Sequence, residues 1–290
     1  MGQYLLYRLV GFIAPFIPSR LGYPLTDLMG SLVYFLDRRA RRVVLENLTH
    51  VLGSQVPAGQ LRPIARRVFQ NSLKNYYELF HFHRLPDEQL QARLQVVGLE
   101  VVERALARGK GLVLATAHLG SPDAFMHVAP LFAYRFTAPA ERLQPERLFE
   151  YVRRLRQRRG VRLVPVDGPL ISIVRALKRN EVVGVAVDRD ITGSGMVIDF
   201  FGAPARLPDG PVQLALRTGA ALAVGLGIRL PDNSFLAKID PIALELSGDF
   251  QWDVRANLAK VVAALEEAIR QHPDQWLMFY PLWRDNTERG

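Results

Sequence analysis

Gly111-Leu-Val-Leu-Ala-Thr-Ala-His118-Leu-Gly-Ser-Pro-Asp123 is the stretch that decides the fold. Its first half is a run of small and branched apolar residues, the composition of a strand covered on both faces. Gly120, Ser121 and Pro122 then break the strand. Ser121 is a good helix N-cap, and Pro122 suits the first helical position. The segment therefore reads as strand, turn, helix, with His118 at the carboxyl end of the strand. That is where open α/β sheets place ligands. A tight turn would bring Asp123 back against the imidazole. A carboxylate on one ring nitrogen fixes the tautomer and leaves the other nitrogen as general base. Taken alone, the spacing also fits a capped loop histidine followed by an acid at a helix start.

Outward from this segment, strands and helices alternate. Strands are expected at 94–97, 111–117, 161–166, 182–187 and 221–227. Helices are expected at 99–108, 122–133, 147–160, 170–179, 211–218 and 254–271. An extended segment is expected at 196–201, and 235–239 with 242–246 read as paired edge strands. This alternation argues for an α/β fold with a mixed, mostly parallel-type central sheet covered by helices. Residues 1–85 read as helical, with amphipathic patterns at 28–36, 38–48 and 63–84. We expect a helical N-terminal extension (1–85) and an α/β core (86–290), built as effectively one domain with no repeat or low-complexity linker.

The chain has 290 residues, 49% hydrophobic and 22% charged, enough for a sizeable core. It contains no cysteine, which excludes disulfides, thiolate metal sites and a cysteine nucleophile. The 37 Lys and Arg outnumber the 28 Asp and Glu, for a net charge of +9. Arginines cluster at Arg38, Arg39, Arg41 and Arg42, and again at Arg153, Arg154, Arg156, Arg158 and Arg159. Such a surface suits nucleic acid, anionic membrane or a phosphate-bearing cofactor. No zinc finger, helix-turn-helix or stacking-aromatic RNA motif accompanies the clusters, so membrane and acyl carrier rank above nucleic acid. Residues 4–18 are apolar but broken by Arg8 and Pro15, and shorter than the roughly 20 residues a spanning helix needs. They read as a helix lying in a membrane interface. His81 and His83 stand two apart and cannot face one ligand from a helix, so no metal site is expected.

Two more segments carry candidate chemistry. Asp188-Arg189-Asp190 follows the strand at 182–187, with three glycines within the next dozen residues. Arg189 is suited to a phosphate or an oxyanion. Asp188 or Asp190 would orient that arginine or contact a sugar hydroxyl. Leu207-Pro-Asp-Gly-Pro211 starts a helix whose free N–H groups suit an anion. No Gly-x-Ser-x-Gly elbow or Walker loop is present. Ser121 lies near His118 but lacks the strained elbow of a hydrolase nucleophile.

In this order, these segments resemble the bacterial lysophospholipid acyltransferase superfamily. The branch looks like the one holding the lipid A lauroyl acyltransferases and the phosphatidylinositol mannoside acyltransferases. His118 to Asp123 matches the superfamily's H-x4-D/E motif. Asp188 to Gly202, Pro208 to Ala220, His272-Pro-Asp-Gln-Trp276 through Trp283, and Arg42-Val-Val-Leu-Glu-Asn47-Leu extend the likeness over nearly the whole chain. The Phe-Pro-Glu-Gly-Thr block of the glycerol-phosphate branch is not matched. The resemblance implies acyl transfer from acyl-CoA or acyl carrier protein to a hydroxyl of a membrane glycolipid or lysophospholipid, with no permanently bound cofactor and no metal. His118 would be the general base and Asp123 its orienting carboxylate. Glu141, Arg156, Asp188, Arg189 and Asp190 would line the substrate pocket. The expected location is the cytoplasmic face of the cell membrane, peripheral or monotopic. A glycerophospholipid acyltransferase, a catalytically silent lipid-binding protein and a Ser121 hydrolase are the competing readings.

Overall fold

The computed structural model describes residues 2–168 and 170–283, apart from the side chains of Val128 and Pro130. It opens with helices α1 (Gly2–Ile13), α2 (Ser19–Leu36), α3 (Arg38–Leu52), α4 (Ala58–His81) and a short α5 (Asp87–Gln91). Alternation follows: β1 (Leu94–Val97), α6 (Leu99–Ala107), β2 (Leu112–Thr116), α7 (Pro122–Val128), β3 (Phe136–Ala140), α8 (Glu146–Gln157), β4 (Arg162–Pro165), α9 (Ile171–Lys178) and β5 (Val182–Ala186). The hairpin β6 (Met196–Phe200) and β7 (Ala203–Leu207) leads to α10 (Gly210–Thr218), β8 (Ala221–Arg229), β9 (Phe235–Ile242) and the closing helix α11 (Phe250–Gln271).

Seven strands form one sheet in the order β1-β9-β8-β2-β5-β3-β4. Every pairing is parallel except β8 with β9. Parallel strands need crossover helices, which cover both faces. The mixed, mostly parallel sheet is the one the alternation led us to expect. Two details differ. Residues 235–239 and 242–246 do not pair with each other. Instead β9 runs unbroken through Pro241, antiparallel to β8 and parallel to β1. The turn that reverses the chain lies earlier, at 230–234, where Asn233 takes positive φ and the Asp232 carboxylate accepts from Ser234. The expected extended segment at 196–201 forms β6, which pairs with β7 in a two-stranded ribbon apart from the main sheet. Strand β3, which carries Pro139 and has no strong alternation, was not expected at all.

The two faces of the sheet differ in side-chain size. Val113, Ala115, Val183, Leu222, Val224 and Leu226 point to one face and join Leu177, Val212, Leu258, Val261 and Leu265 in the main core. The opposite face carries Ala138, Ala140, Gly184, Ala186, Gly225 and Gly227, which line a cavity; Phe136, Leu114 and Phe125 lie where Cβ atoms at the three glycines would be. Glycine and alanine in strand interiors give up packing, and such positions often mark a close approach or a ligand site.

The N-terminal helices are tied down through α4. Gly30 of α2 lies so close to α4 that an added Cβ would strike the Gln70 backbone, and at Gly22 it would strike the Tyr77 ring. The outward side is apolar. Leu5, Leu9, Phe12 and Phe16 are exposed at helical spacing, as are Leu21, Leu25, Leu28, Leu32 and Phe35. Among the described residues, no helix is long and apolar enough to cross a membrane.

Candidate active site

His118 stands just past the carboxyl end of β2, and Asp188 just past the carboxyl end of its parallel neighbour β5. The register pairs Thr116 with Ala186. The Val187 N–H then donates to the Thr116 carbonyl, extending the ladder by one step. Two residues further along each strand, the same face carries His118 and Asp188 side by side. Asp188 Oδ1 lies 2.8 Å from His118 Nδ1. Its Oδ2 accepts from the His118 backbone N–H at 2.8 Å and from the Trp276 indole at 2.9 Å. The carboxylate on the ring is therefore Asp188, which corrects the expectation that Asp123 plays that part.

Asp123 is turned elsewhere. It falls in the first turn of α7, and Ser121 caps that helix by accepting from the Ala124 N–H at 3.3 Å, with Pro122 opening it as expected. From there the Asp123 carboxylate points toward α8 and α4. It accepts two bonds from Arg156, at 2.5 and 3.1 Å, and one from the Asn75 amide at 2.9 Å. The Asn75 carbonyl takes the Asp123 N–H in return, at 3.1 Å. Asn75 was not singled out from the sequence, where nothing separates it from other polar positions on an amphipathic helix.

Electrostatics follow from these contacts. The Asp188 carboxylate beside it raises the His118 pKa, against burial, which would lower it. For Asp188, burial alone would raise the pKa. The adjacent imidazole and the hydrogen bonds it receives outweigh that and hold it below the ordinary carboxylate value. Burial would lower the pKa of Arg156, but Asp123 more than compensates and raises it.

His118 opens onto a cavity of about 600 Å³ that runs across the small-residue face of the sheet. Its walls are apolar, with Leu94, Val96, Leu114, Phe125, Phe132 and Phe136 among them. The mouth is polar: Asp123, Glu141, Arg156, Arg189, Asp190 and Thr192 also line it. Glu141 accepts from Arg189 at 3.0 and 3.3 Å, and the guanidinium lies over the Tyr280 ring. Asp190 shapes its own loop, accepting from the Thr192, Gly193 and Gly195 N–H groups. Every expected pocket residue except Asp188 thus lines the cavity, and Asp188 sits behind His118, fully buried. Of the expected 207–211 anion segment, Pro208 lines the cavity.

The Ser121 hydroxyl is buried and donates to Glu78. Glu78 is itself in a buried ion pair with Arg229 that joins α4 to β8. Ser121 is therefore a cap held from behind, which counts against its use as a nucleophile. Among the described residues, no three His, Cys, Asp or Glu side chains are grouped to hold a metal ion.

A mostly parallel sheet with a carboxylate-held histidine at its carboxyl edge, beside an apolar cavity, is an arrangement in which α/β proteins bind ligands. Residues 1–285 match the family described as bacterial lipid A biosynthesis acyltransferase, and the chain belongs to that family. It is an acyltransferase. The chain is similar to a phosphatidylinositol mannoside acyltransferase of Mycobacterium tuberculosis (strain ATCC 25618 / H37Rv), 32% identical over 266 residues, covering 86% of this chain and 79% of that protein. It is also similar to a phosphatidylinositol mannoside acyltransferase of Mycolicibacterium smegmatis (strain ATCC 700084 / mc(2)155), 30% identical over 245 residues, covering 82% and 77%.

Proposed function

We propose that the protein is a membrane-associated O-acyltransferase. It moves a fatty acyl chain from an acyl thioester, acyl-CoA or acyl carrier protein, to a hydroxyl of a glycolipid such as a phosphatidylinositol mannoside or a lipid A-like acceptor. The observation that carries this reading is the placement of His118. Asp188 occupies Nδ1, which leaves Nε2 for the cavity that the histidine lines.

In the proposed reaction, Nε2 takes the proton of the acceptor hydroxyl as its oxygen attacks the thioester carbonyl. The carbonyl π electrons move to oxygen, then return as the carbon–sulfur bond breaks. The departing thiolate takes the proton from the imidazolium, so the products are an ester and a free thiol. Asp188 holds the ring in one tautomer and stabilises its charged form, as a carboxylate does in hydrolase triads. No enzyme nucleophile is involved. The guanidinium of Arg189, which lines the cavity, would favour the developing oxyanion, a kind of contact whose loss costs about 2.7–4 kcal/mol of barrier.

The cavity is the proposed site of the acyl chain. Its volume of about 600 Å³ lies within the range of roughly 300–1,000 Å³ typical of ligand pockets. The exposed apolar stripes of α1 and α2, with basic residues such as Arg8, Arg20 and Arg38 near them in sequence, suit an anionic membrane surface. These stripes support a site working at the lipid boundary, and the cytoplasmic face of the cell membrane is the proposed location.

Three measurements check this reading. Thiol release from long-chain acyl-CoA or acyl carrier protein should require both added glycolipid acceptor and His118, and His118→Ala should lower the rate by roughly 10²–10⁴-fold. Release that ignores the acceptor would mean hydrolysis instead. Gly184→Ala should push the Phe136 ring, which a Cβ there would strike, into the cavity. Rates measured across acyl thioesters of increasing length should then fall for the longest chain accepted, by roughly 10-fold relative to shorter ones. An unaltered length profile would remove the acyl chain from this cavity. Finally, Leu28→Glu with Leu32→Glu should abolish co-sedimentation with anionic vesicles and leave the melting temperature near wild type, since both side chains are exposed. Retained binding would overturn the membrane face.

A further inference from the structure

The segment after α11 returns to the active site and holds it at several points. The Leu277 N–H donates to the His118 carbonyl at 2.7 Å, and the Gly120 N–H donates to the Gln275 carbonyl at 2.9 Å. The backbone that leaves the histidine is thus clamped on both sides of Leu119 by one strap. The strap is anchored in turn. The Gln275 side chain pairs with both backbone groups of Arg229 in β8, at 2.8 and 2.9 Å. The Asn47 amide of α3 donates to the carbonyls of Met278 and Tyr280, and the Asn71 amide of α4 donates to that of Asp274.

Between these clamps lies Trp276, 2% exposed and packed edge-on against Phe200 with Phe201 and Trp283 nearby. Its indole N–H points at Asp188 Oδ2. A fully buried carboxylate needs donors, and Asp188 receives three: two from His118 and one from Trp276. The indole is a pure donor that does not titrate in the working range, so it cannot compete with the imidazole for a proton. It pins one oxygen and leaves the other for Nδ1.

We propose that Trp276 is a positioning residue for His118, acting through Asp188 to fix the orientation and basicity of the imidazole. This rests on the acyltransferase reading only in making His118 the general base. The geometry is independent of it. The other charges that face the ring are Arg156 from α8 and Arg189 from the loop after β5, each already paired with a carboxylate, Asp123 and Glu141. The strap residues that touch the loop, Trp276 and Leu277, and Asn75 from α4 carry no charge. Removing the indole N–H leaves those groups in place. The less satisfied Asp188 anion then draws harder on the one partner that can gain a proton. Trp276→Phe should therefore raise the His118 titration midpoint.

The test is the ring titration of the six histidines by NMR, with His118 assigned from the resonance missing in His118→Gln. Trp276→Phe keeps an aromatic ring in the packing while removing the donor together with the volume of one ring. Its His118 midpoint should rise by roughly 0.5–1 pH unit, and acyl transfer should slow several-fold through kcat with KM little changed. A midpoint that is unchanged or lower overturns the proposal. If this variant does not fold, the wild type supplies the same answer. The Trp276 indole resonance should titrate with the His118 midpoint, and an indole resonance flat through that pH range overturns the proposal. Neither readout needs turnover. A raised midpoint in a protein that transfers no acyl group would count against the acyltransferase reading and leave the role of Trp276 standing.

Discussion

The hydrogen bond between Asp188 and the His118 ring depends on two strands lying side by side, in register and pointing the same way. In sequence the two side chains stand seventy positions apart. Topology brings them together because β5 inserts between β2 and β3. Parallel pairing then carries both side chains out at the same edge of the sheet. A slip of one residue in β5 would turn Asp188 to the other face, as strand periodicity requires. The constraint is enforced by what surrounds it: Val113, Val183 and Val187 are buried in the main core, and the strap at 275–278 closes over the loop.

The unequal faces of the sheet are the second constraint. One face is packed to α9, α10 and α11 by branched and leucine side chains, and it supplies the stability that a small-residue face cannot. The other face carries Gly184, Gly225 and Gly227, which let Phe136, Leu114 and Phe125 lie close against the sheet, and a cavity lined by these residues and by His118 runs over it. The buried Glu78–Arg229 pair lies behind this arrangement, with Ser121 hydrogen-bonded to it. An ion pair with side chains 0% and 4% exposed costs desolvation and adds little net stability, but it fixes α4 against β8 where the loop turns.

Much of this was legible in the sequence. The apolar run before His118, the Gly-Ser-Pro break and the cap at Ser121 are local signals, and the structure follows them. The alternation of strand and helix after residue 94 pointed to the mostly parallel sheet. The partner of His118 was not legible, because the nearest acid in sequence competes with one placed by strand order, and strand order is a long-range property. Asn75, the Glu78–Arg229 pair and the Trp276 contact to Asp188 share that difficulty. Each joins residues more than forty positions apart. Strand β3 escaped because Pro139 argues locally against a strand. The β9 boundary was misread because the turn at 230–234 carries its signal in Pro231, Asp232 and Asn233, upstream of the expected break.

The most direct test compares the pH dependence of kcat/KM for acyl transfer in wild type, Asp188→Asn and Asp123→Asn. A general base must be neutral, so activity falls as pH drops through the His118 pKa, which Asp188 holds above the free-imidazole value. Neutralising Asp188 removes the charge that raises it. The acid limb should then move to lower pH, with kcat reduced by roughly 10²–10⁴-fold, as when a triad carboxylate is lost. Asp123→Asn should move that limb less, because Asp123 is bound to Arg156 and Asn75. A larger downward shift in Asp123→Asn than in Asp188→Asn would contradict the account.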